Sequence, residues 1–159
     1  MLDSRTFKTA IENVPLVSID LCLVSDGELF LGKRTNEPLK GEWFTPGGRI
    51  QKNETWQDAL LRLAKVELGL SSIVVEDFLL MGMWDHFYHN SAIDQNISTH
   101  YVNLPHYAEF ISKPKIILDD QHSVFKWFDL AVVSNHEKFH PYIRNYAIWL
   151  LKHMDNSNA

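Results

Sequence analysis

The chain has 159 residues, with 20 acidic against 15 basic side chains and a formal net charge of -5. That length suits one domain with a real core, and 45% apolar with 22% charged residues excludes a disordered chain. An acidic pI near 5.9 argues against a nucleic-acid-binding protein, which carries a basic face, yet leaves room for a phosphate-bearing small ligand held by a divalent cation and a few arginines.

In chain order, residues from about Ser4 to Asn13 read as a short helix with Ser4 as N-cap and Pro15 as its stop. Leu16 to Val24 is an apolar strand, and Ser25-Asp26-Gly27-Glu28 is a hairpin turn into Leu29-Phe30-Leu31. Thr35 to Glu42, with Pro38 and Gly41, reads as a loop. Trp43-Phe44-Thr45 leads into Pro46-Gly47-Gly48, where the glycines suggest unusual dihedrals. Thr55 to Leu68 is the strongest helix and stops at Gly69. Ile73 to Tyr88 and Thr99 to Ile111 suggest two long strands joined by the polar loop His89 to Ser98. Val124 to Phe128 is a further strand, and Pro141 to His153 a closing helix. Strands on both sides of a central helix, with another helix at the end, predict a mixed α/β sandwich.

The apolar runs are too short to cross a bilayer, and Met1-Leu2-Asp3-Ser4-Arg5 lacks the basic-then-apolar order of a signal peptide. Cys22 stands alone, which excludes a disulfide framework and a cysteine-based zinc site. The expectation is a soluble cytoplasmic protein with no membrane or nucleic-acid partner.

The chemistry sits in the middle of the chain. Gly48 is followed after five residues by Glu54, after seven more by Arg62, after four more by Glu67, and then by Gly69-Leu70. This spacing, next to Pro-Gly-Gly and on a predicted loop-helix, resembles the box of the Nudix hydrolases, which cleave nucleoside diphosphates linked to another group. Two box positions depart from that pattern. Leu63 and Val66 stand where the family has carboxylates, and 63, 66 and 67 share one helix face. Glu67 alone remains of three. One carboxylate with backbone and neutral oxygens suits a single Mg²⁺ better than a cluster of ions, so multi-metal activation of water is not the expected chemistry.

The same departures resemble the GDP-mannose mannosyl hydrolase subfamily, as do Pro15-Leu16-Val17-Ser18, Gly32-Lys33-Arg34-Thr35-Asn36, Trp84-x-His86-Phe87-Tyr88, Thr99-His100-Tyr101-Val102 and Asp120-Gln121-His122. The resemblance covers roughly residues 15 to 130. It implies one Nudix-type α/β/α (α+β) domain over 1–159, with the box at 48–70 and helices at about 4–13 and 141–153. It also implies hydrolysis of GDP-mannose, with GDP-glucose as a second candidate, to GDP and inverted sugar. The implied metal ligands for one Mg²⁺ (Mn²⁺ as a substitute) are Gly48 through its carbonyl, Glu67 and Gln121. His122 is the implied base, a role that suits a neutral imidazole near pH 7. Arg34, Arg49 and Arg62 would surround the phosphates or sugar, since a guanidinium fork suits phosphate oxygens. Asp20, His86 and Tyr101 match positions that line the site, and a homodimer is the implied assembly.

Read without the resemblance, several of these residues have other roles open. Glu54 suits either the helix dipole or the site. Arg62 can pair with Asp58 four residues earlier, and His86 and Tyr101 can be ordinary strand residues. Asp20 is unusual, because a carboxylate within Leu16 to Val24 is costly unless paired, by an arginine or in a pocket. Trp43, Trp84 and Trp127 read as core, and the histidines at 89, 106, 136, 140 and 153 as surface or packing. Two alternative functions stand beside the glycosyl hydrolase. One is a conventional pyrophosphohydrolase yielding a nucleoside monophosphate and a sugar phosphate, with Asp119 or Asp120 completing a metal cluster; the other is a binding module that has lost catalysis.

Overall fold

The computed structural model describes residues 2–118 and 122–157, the side chains of 122–123 and 155–157 excepted. Helix α1 spans Ser4–Asn13, and its N-cap is Asp3 rather than Ser4: the Asp3 carboxylate accepts from Thr6 N at 3.0 Å. A carboxylate one residue earlier is the better acceptor for the open N–H groups of the first turn. Strands β1 (Leu16–Ser25) and β2 (Glu28–Arg34) form the expected hairpin, with Asp26 at φ 52° and Gly27 at φ 72°. Two successive left-handed residues match the right-handed twist of the flanking strands.

β3 (Trp43–Phe44) and β4 (Gly47–Arg49) follow the Thr35–Glu42 loop, and then comes α2 (Trp56–Leu68). Thr55 caps α2 by accepting from Asp58 N, and Gly69 closes it at φ 69°. The glycines of the Pro-Gly-Gly turn do not need unusual dihedrals, contrary to the expectation; they need room. A Cβ at Gly47 would lie 2.3 Å from the Ile19 carbonyl oxygen, and one at Gly48 would lie 2.6 Å from Leu63 Cδ2.

The two expected long strands are each broken in two. β5 (Leu79–Leu80) and β6 (Trp84–Tyr88) are separated at Gly82, whose φ is 122°, after a 3-10 turn at Val75–Asp77. β7 (Thr99–Asn103) and β8 (His106–Phe110) are separated at Leu104-Pro105, because proline has no N–H to give a ladder. Both nevertheless run parallel to β1 with one offset, 85 positions, pairing Leu16 with Tyr101 and Leu21 with His106. β9 (His122–Asp129) pairs with β2, and β4 pairs with β1. A short helix not expected from the sequence, α3 (Leu130–Asn135), is capped by Asp129, which accepts from Ala131 N and Val132 N. The closing helix α4 (Pro141–Ser157) has proline at its first position.

β1 is the shared strand of the sheet. Its side chains alternate between two buried layers. Ile19, Leu21 and Leu23 join Leu60, Leu63, Ala64 and Leu68 under α2. Cys22 and Val24 join Val133, Ile143, Tyr146, Ala147 and Leu150 under α3 and α4. The result is the expected α/β/α arrangement with a mixed sheet. Asp20 falls on the α4 side of that alternation. Among the described residues, no helix is long and apolar enough to cross a membrane.

The close approach at position 47 yields a stability prediction. Gly47→Ala drives a methyl group into the backbone of β1, where no flexible side chain can yield, and should cost about 1–3 kcal/mol. Urea unfolding should show a lower midpoint with an unchanged slope; a wild-type midpoint would disprove the close contact.

Candidate active site

A pocket opens where β1, β4, β6 and β7 meet the loop after β2. Its lining includes Asp20, Arg34, Phe44, Thr45, Gly48, His86, Tyr88, Tyr101 and Asn103. The fold thus brings together five residues expected from the sequence: Asp20, Arg34, Gly48, His86 and Tyr101. The ladder explains how. Asp20 lies opposite Gly47 on β4, while Tyr101 lies opposite Leu16 on one side and His86 on the other. Arg34 ends β2; its Nε donates to the Pro38 carbonyl at 2.8 Å, which fixes the stem of the guanidinium in the pocket wall.

Asp20 is buried without an arginine hydrogen-bonded to it. Instead it accepts from Tyr146 Oη at 2.6 Å and from Asn103 Nδ2 at 2.7 Å. Burial raises the pKa of this carboxyl; the bonds from Tyr146 and Asn103 and the positive charge of Arg34 pull it back down. His86 is 2% exposed, and its ring stacks on Tyr142 at 4.0 Å with 3° between the planes. Burial first, and then the neighbouring His140, hold its pKa down to about 4, so at neutral pH it is an uncharged imidazole. Burial also raises the Tyr101 hydroxyl pKa, so Tyr101 is a neutral phenol in this pocket.

Other expected site residues lie outside the pocket lining. Arg62 does not pair with Asp58. Its Nε donates to Glu54 Oε1 at 2.6 Å, and its Nη2 donates to Glu54 Oε2 and to the Arg49 carbonyl, both at 3.0 Å. Glu54 also accepts from Gln51 N at 2.9 Å, and the paired guanidinium lowers its pKa. Arg62 and Glu54 therefore clamp the loop before α2 onto β4. They do not form an open phosphate-binding fork, because that fork is already filled by a carboxylate. Arg49 lays its guanidinium over the Phe7 ring at 4.6 Å, against α1.

Of the metal candidates, Gly48 lines the pocket and Glu67 lies on α2. Leu63 is 2% exposed in the α2 layer, with its side chain against Gly48, and Val66 points outward at 56%. Glu67, one turn after Leu63, is buried at 3% exposure. Among the described residues no group of three His, Cys, Asp or Glu side chains is arranged to hold an ion. The donor set of one buried carboxylate and a backbone carbonyl on the neighbouring strand fits one hard cation that keeps part of its water, not a cluster. Gln121 lies outside the described residues, as do Asp119 and Asp120. His122 is described in backbone only, where it pairs with Arg34 across β9 and β2.

The sequence assigns no site role to Asn103, Tyr146 or Thr45, and gives Tyr88 only a place in the Trp84–Tyr88 segment. Tyr146 left a faint signal: it falls on the buried face of α4 between Ile143 and Leu150, and a buried tyrosine hydroxyl needs a partner. Nothing in the sequence distinguishes Asn103 from any polar strand end.

The NUDIX domain family matches residues 15–150. The chain is 39% identical over 140 residues to the low-salt glycan biosynthesis protein Agl8 of Haloferax volcanii, covering 88% of this chain and 85% of that one. It is 29% identical over 139 residues to an ADP-ribose pyrophosphatase of Methanocaldococcus jannaschii, covering 85% and 75%. A MutT NUDIX hydrolase structure from Burkholderia pseudomallei superposes with a TM-score of 0.67 at 28% identity, covering 86% of this chain and 98% of that one. Family match, relatives and fold agree: the chain belongs to the Nudix hydrolases, which act on nucleotide derivatives.

Proposed function

We propose that this protein hydrolyses GDP-mannose, with GDP-glucose as a second substrate, by attack of water at the anomeric carbon with inversion. The observation that carries the reading is the loss of carboxylates on α2. Leu63 is committed to the core against Gly48 and Val66 is apolar, so Glu67 is the one carboxylate of those three positions. Attack at phosphorus leans on a metal cluster to activate water, whereas departure of a diphosphate from carbon needs charge neutralised on the leaving group. The resemblance to a relative named for glycan biosynthesis is in keeping with a sugar-nucleotide substrate.

Glu67, the Gly48 carbonyl and Gln121 would hold one Mg²⁺ or Mn²⁺. When bound, that cation would neutralise negative charge on the diphosphate. Arg34, in the pocket wall, would add a second positive charge there. His122 would take a proton from water as its oxygen bonds to the anomeric carbon. The bond from that carbon to the diphosphate oxygen breaks, and its electron pair leaves with GDP. Asp20, His86 and Tyr101 would contact the sugar or the leaving group, with neutral His86 and Tyr101 serving as hydrogen-bond donors. Arg49, whose charge acts on Tyr101 in the pocket, would reach the substrate from the rim. Arg62 would act from behind by holding the strand that carries Gly48 and Arg49.

Incubation with GDP-mannose and Mg²⁺ in heavy-oxygen water decides which bond breaks. GDP with label in free mannose is the expected outcome; GMP with mannose 1-phosphate and label on phosphate would instead establish the pyrophosphohydrolase reading. His122→Gln should lower turnover by about 10²–10⁴-fold while leaving Mg²⁺ binding and the melting curve unchanged. Near-wild-type rates in that variant would remove His122 as the base. Glu67→Gln should raise the Mg²⁺ concentration for half-maximal turnover by roughly tenfold or more. A titration that superposes on wild type would exclude Glu67 as a ligand.

A further inference from the structure

The surroundings of Asp20 are lopsided. Tyr146 Oη and Asn103 Nδ2 both donate to Oδ2. The Asn103 amide and the Tyr146 hydroxyl are also hydrogen-bonded to each other, so the two donors form a closed triangle with the acid. Asn103 is held from behind by Ser18, whose hydroxyl donates to Asn103 Oδ1 at 3.2 Å. Oδ1 of Asp20 faces Gly47, where a Cβ would come within 2.5 Å of it. A side chain at position 47 would cover that oxygen; glycine leaves it open to the pocket that Asp20 and Gly47 both line. There the Thr45 hydroxyl is close enough to lower the Asp20 pKa but makes no hydrogen bond of normal geometry.

Tyr146 reaches this place from α4, and α4 is anchored there by contacts of its own. One turn earlier, Tyr142 stacks on His86, and its hydroxyl accepts from Phe87 N at 2.9 Å and donates to Phe87 O at 3.1 Å. The Tyr146 ring packs edge-on against Trp84 at 5.1 Å, and the residue is fully buried. Positions 142 and 146 share one helix face. The ring of Tyr146 is thus fixed by packing, and its hydroxyl is spent on the pocket carboxylate.

We propose that Tyr146, together with Asn103, is a positioning residue that holds the Oδ2 edge of Asp20 so that Oδ1 is presented to a hydrogen-bond donor of the bound substrate. A purely structural arrangement has no use for this asymmetry. The alternation of β1 calls for an apolar residue at position 20, as at Cys22 and Val24, and an apolar side chain there would avoid the cost of burying a carboxylate. Donors divided between both oxygens would serve stability equally well and leave neither for a ligand. The inference rests on the reading above in which Asp20 takes part in turnover.

The test is a double-mutant cycle in kcat, with Tyr146→Phe and Asp20→Asn, on the bond that the labelled-water experiment finds to be cleaved. Tyr146→Phe keeps the ring contacts, so the fold should persist. It should lower kcat on the order of tenfold with KM nearly constant, as expected when a reacting geometry is loosened. In the Asp20→Asn background the same substitution should change kcat by less than about twofold, because the group it positions is already gone. An equal loss in both backgrounds, or no loss in the wild-type background, overturns the proposal and leaves Tyr146 structural. Asp20→Asn alone with wild-type kcat, or a wild-type protein with no turnover, overturns the catalytic reading of Asp20 itself. That outcome is distinct from an additive cycle on an active enzyme.

Discussion

The arrangement of this protein follows from a single strand that is buried on both faces and paired along both edges. β1 carries the α2 layer on one set of alternate residues and the α4 layer on the other, and it pairs with β2, β4, β7 and β8. From Ser18 to Ser25 every side chain on β1 is therefore buried, and a polar one needs a partner inside the fold. At Asp20 that condition is met. The β7–β8 line breaks at Leu104-Pro105, and the residue facing Asp20 on β4 is glycine. The pocket opens on the glycine side of Asp20, and the carboxylate that lines it is stabilised by donors drawn from β7 and α4.

The second determinant is the contact between β4 and α2. Gly48 can lie on α2 because it has no side chain, and Leu63 fills the place a side chain would take. A carboxylate at position 63 would have to be desolvated against backbone, at a cost that only a bound cation or a donor could offset. Leucine at that point makes this stretch of the helix face core and leaves Glu67 one turn further along. The same substitution that stabilises the layer thus restricts what chemistry the helix can support.

The Arg62–Glu54 pair ties these parts together. Arg62 reaches back from α2 to the carboxylate of the preceding loop and to the Arg49 carbonyl, so the loop, the strand and the helix keep one geometry. The pair is partly exposed, with side-chain exposures of 31% and 14%, and its contribution to stability is modest for that reason. Its value lies in positioning. A two-pronged guanidinium fixes orientation as well as distance, which a lysine ammonium could not do.

Local features of the sequence determined much of this. The hairpin at Asp26-Gly27 and the stop of α2 at Gly69 depend on backbone dihedrals and near-neighbour hydrogen bonds, so they are legible residue by residue. The spacing from Gly48 to Leu70 was legible for the same reason, as was the anomaly of a carboxylate inside an apolar strand. What tertiary structure alone decided is which distant groups meet. Asn103 and Tyr146 lie 83 and 126 positions from Asp20, and no local pattern encodes that pairing. Nor could spacing show that Arg62 is engaged by Glu54 rather than Asp58, or that Pro105 breaks a strand without shifting its register. Those outcomes depend on the sheet order and on which layer each side chain enters, and both are fixed only when the whole core packs at once.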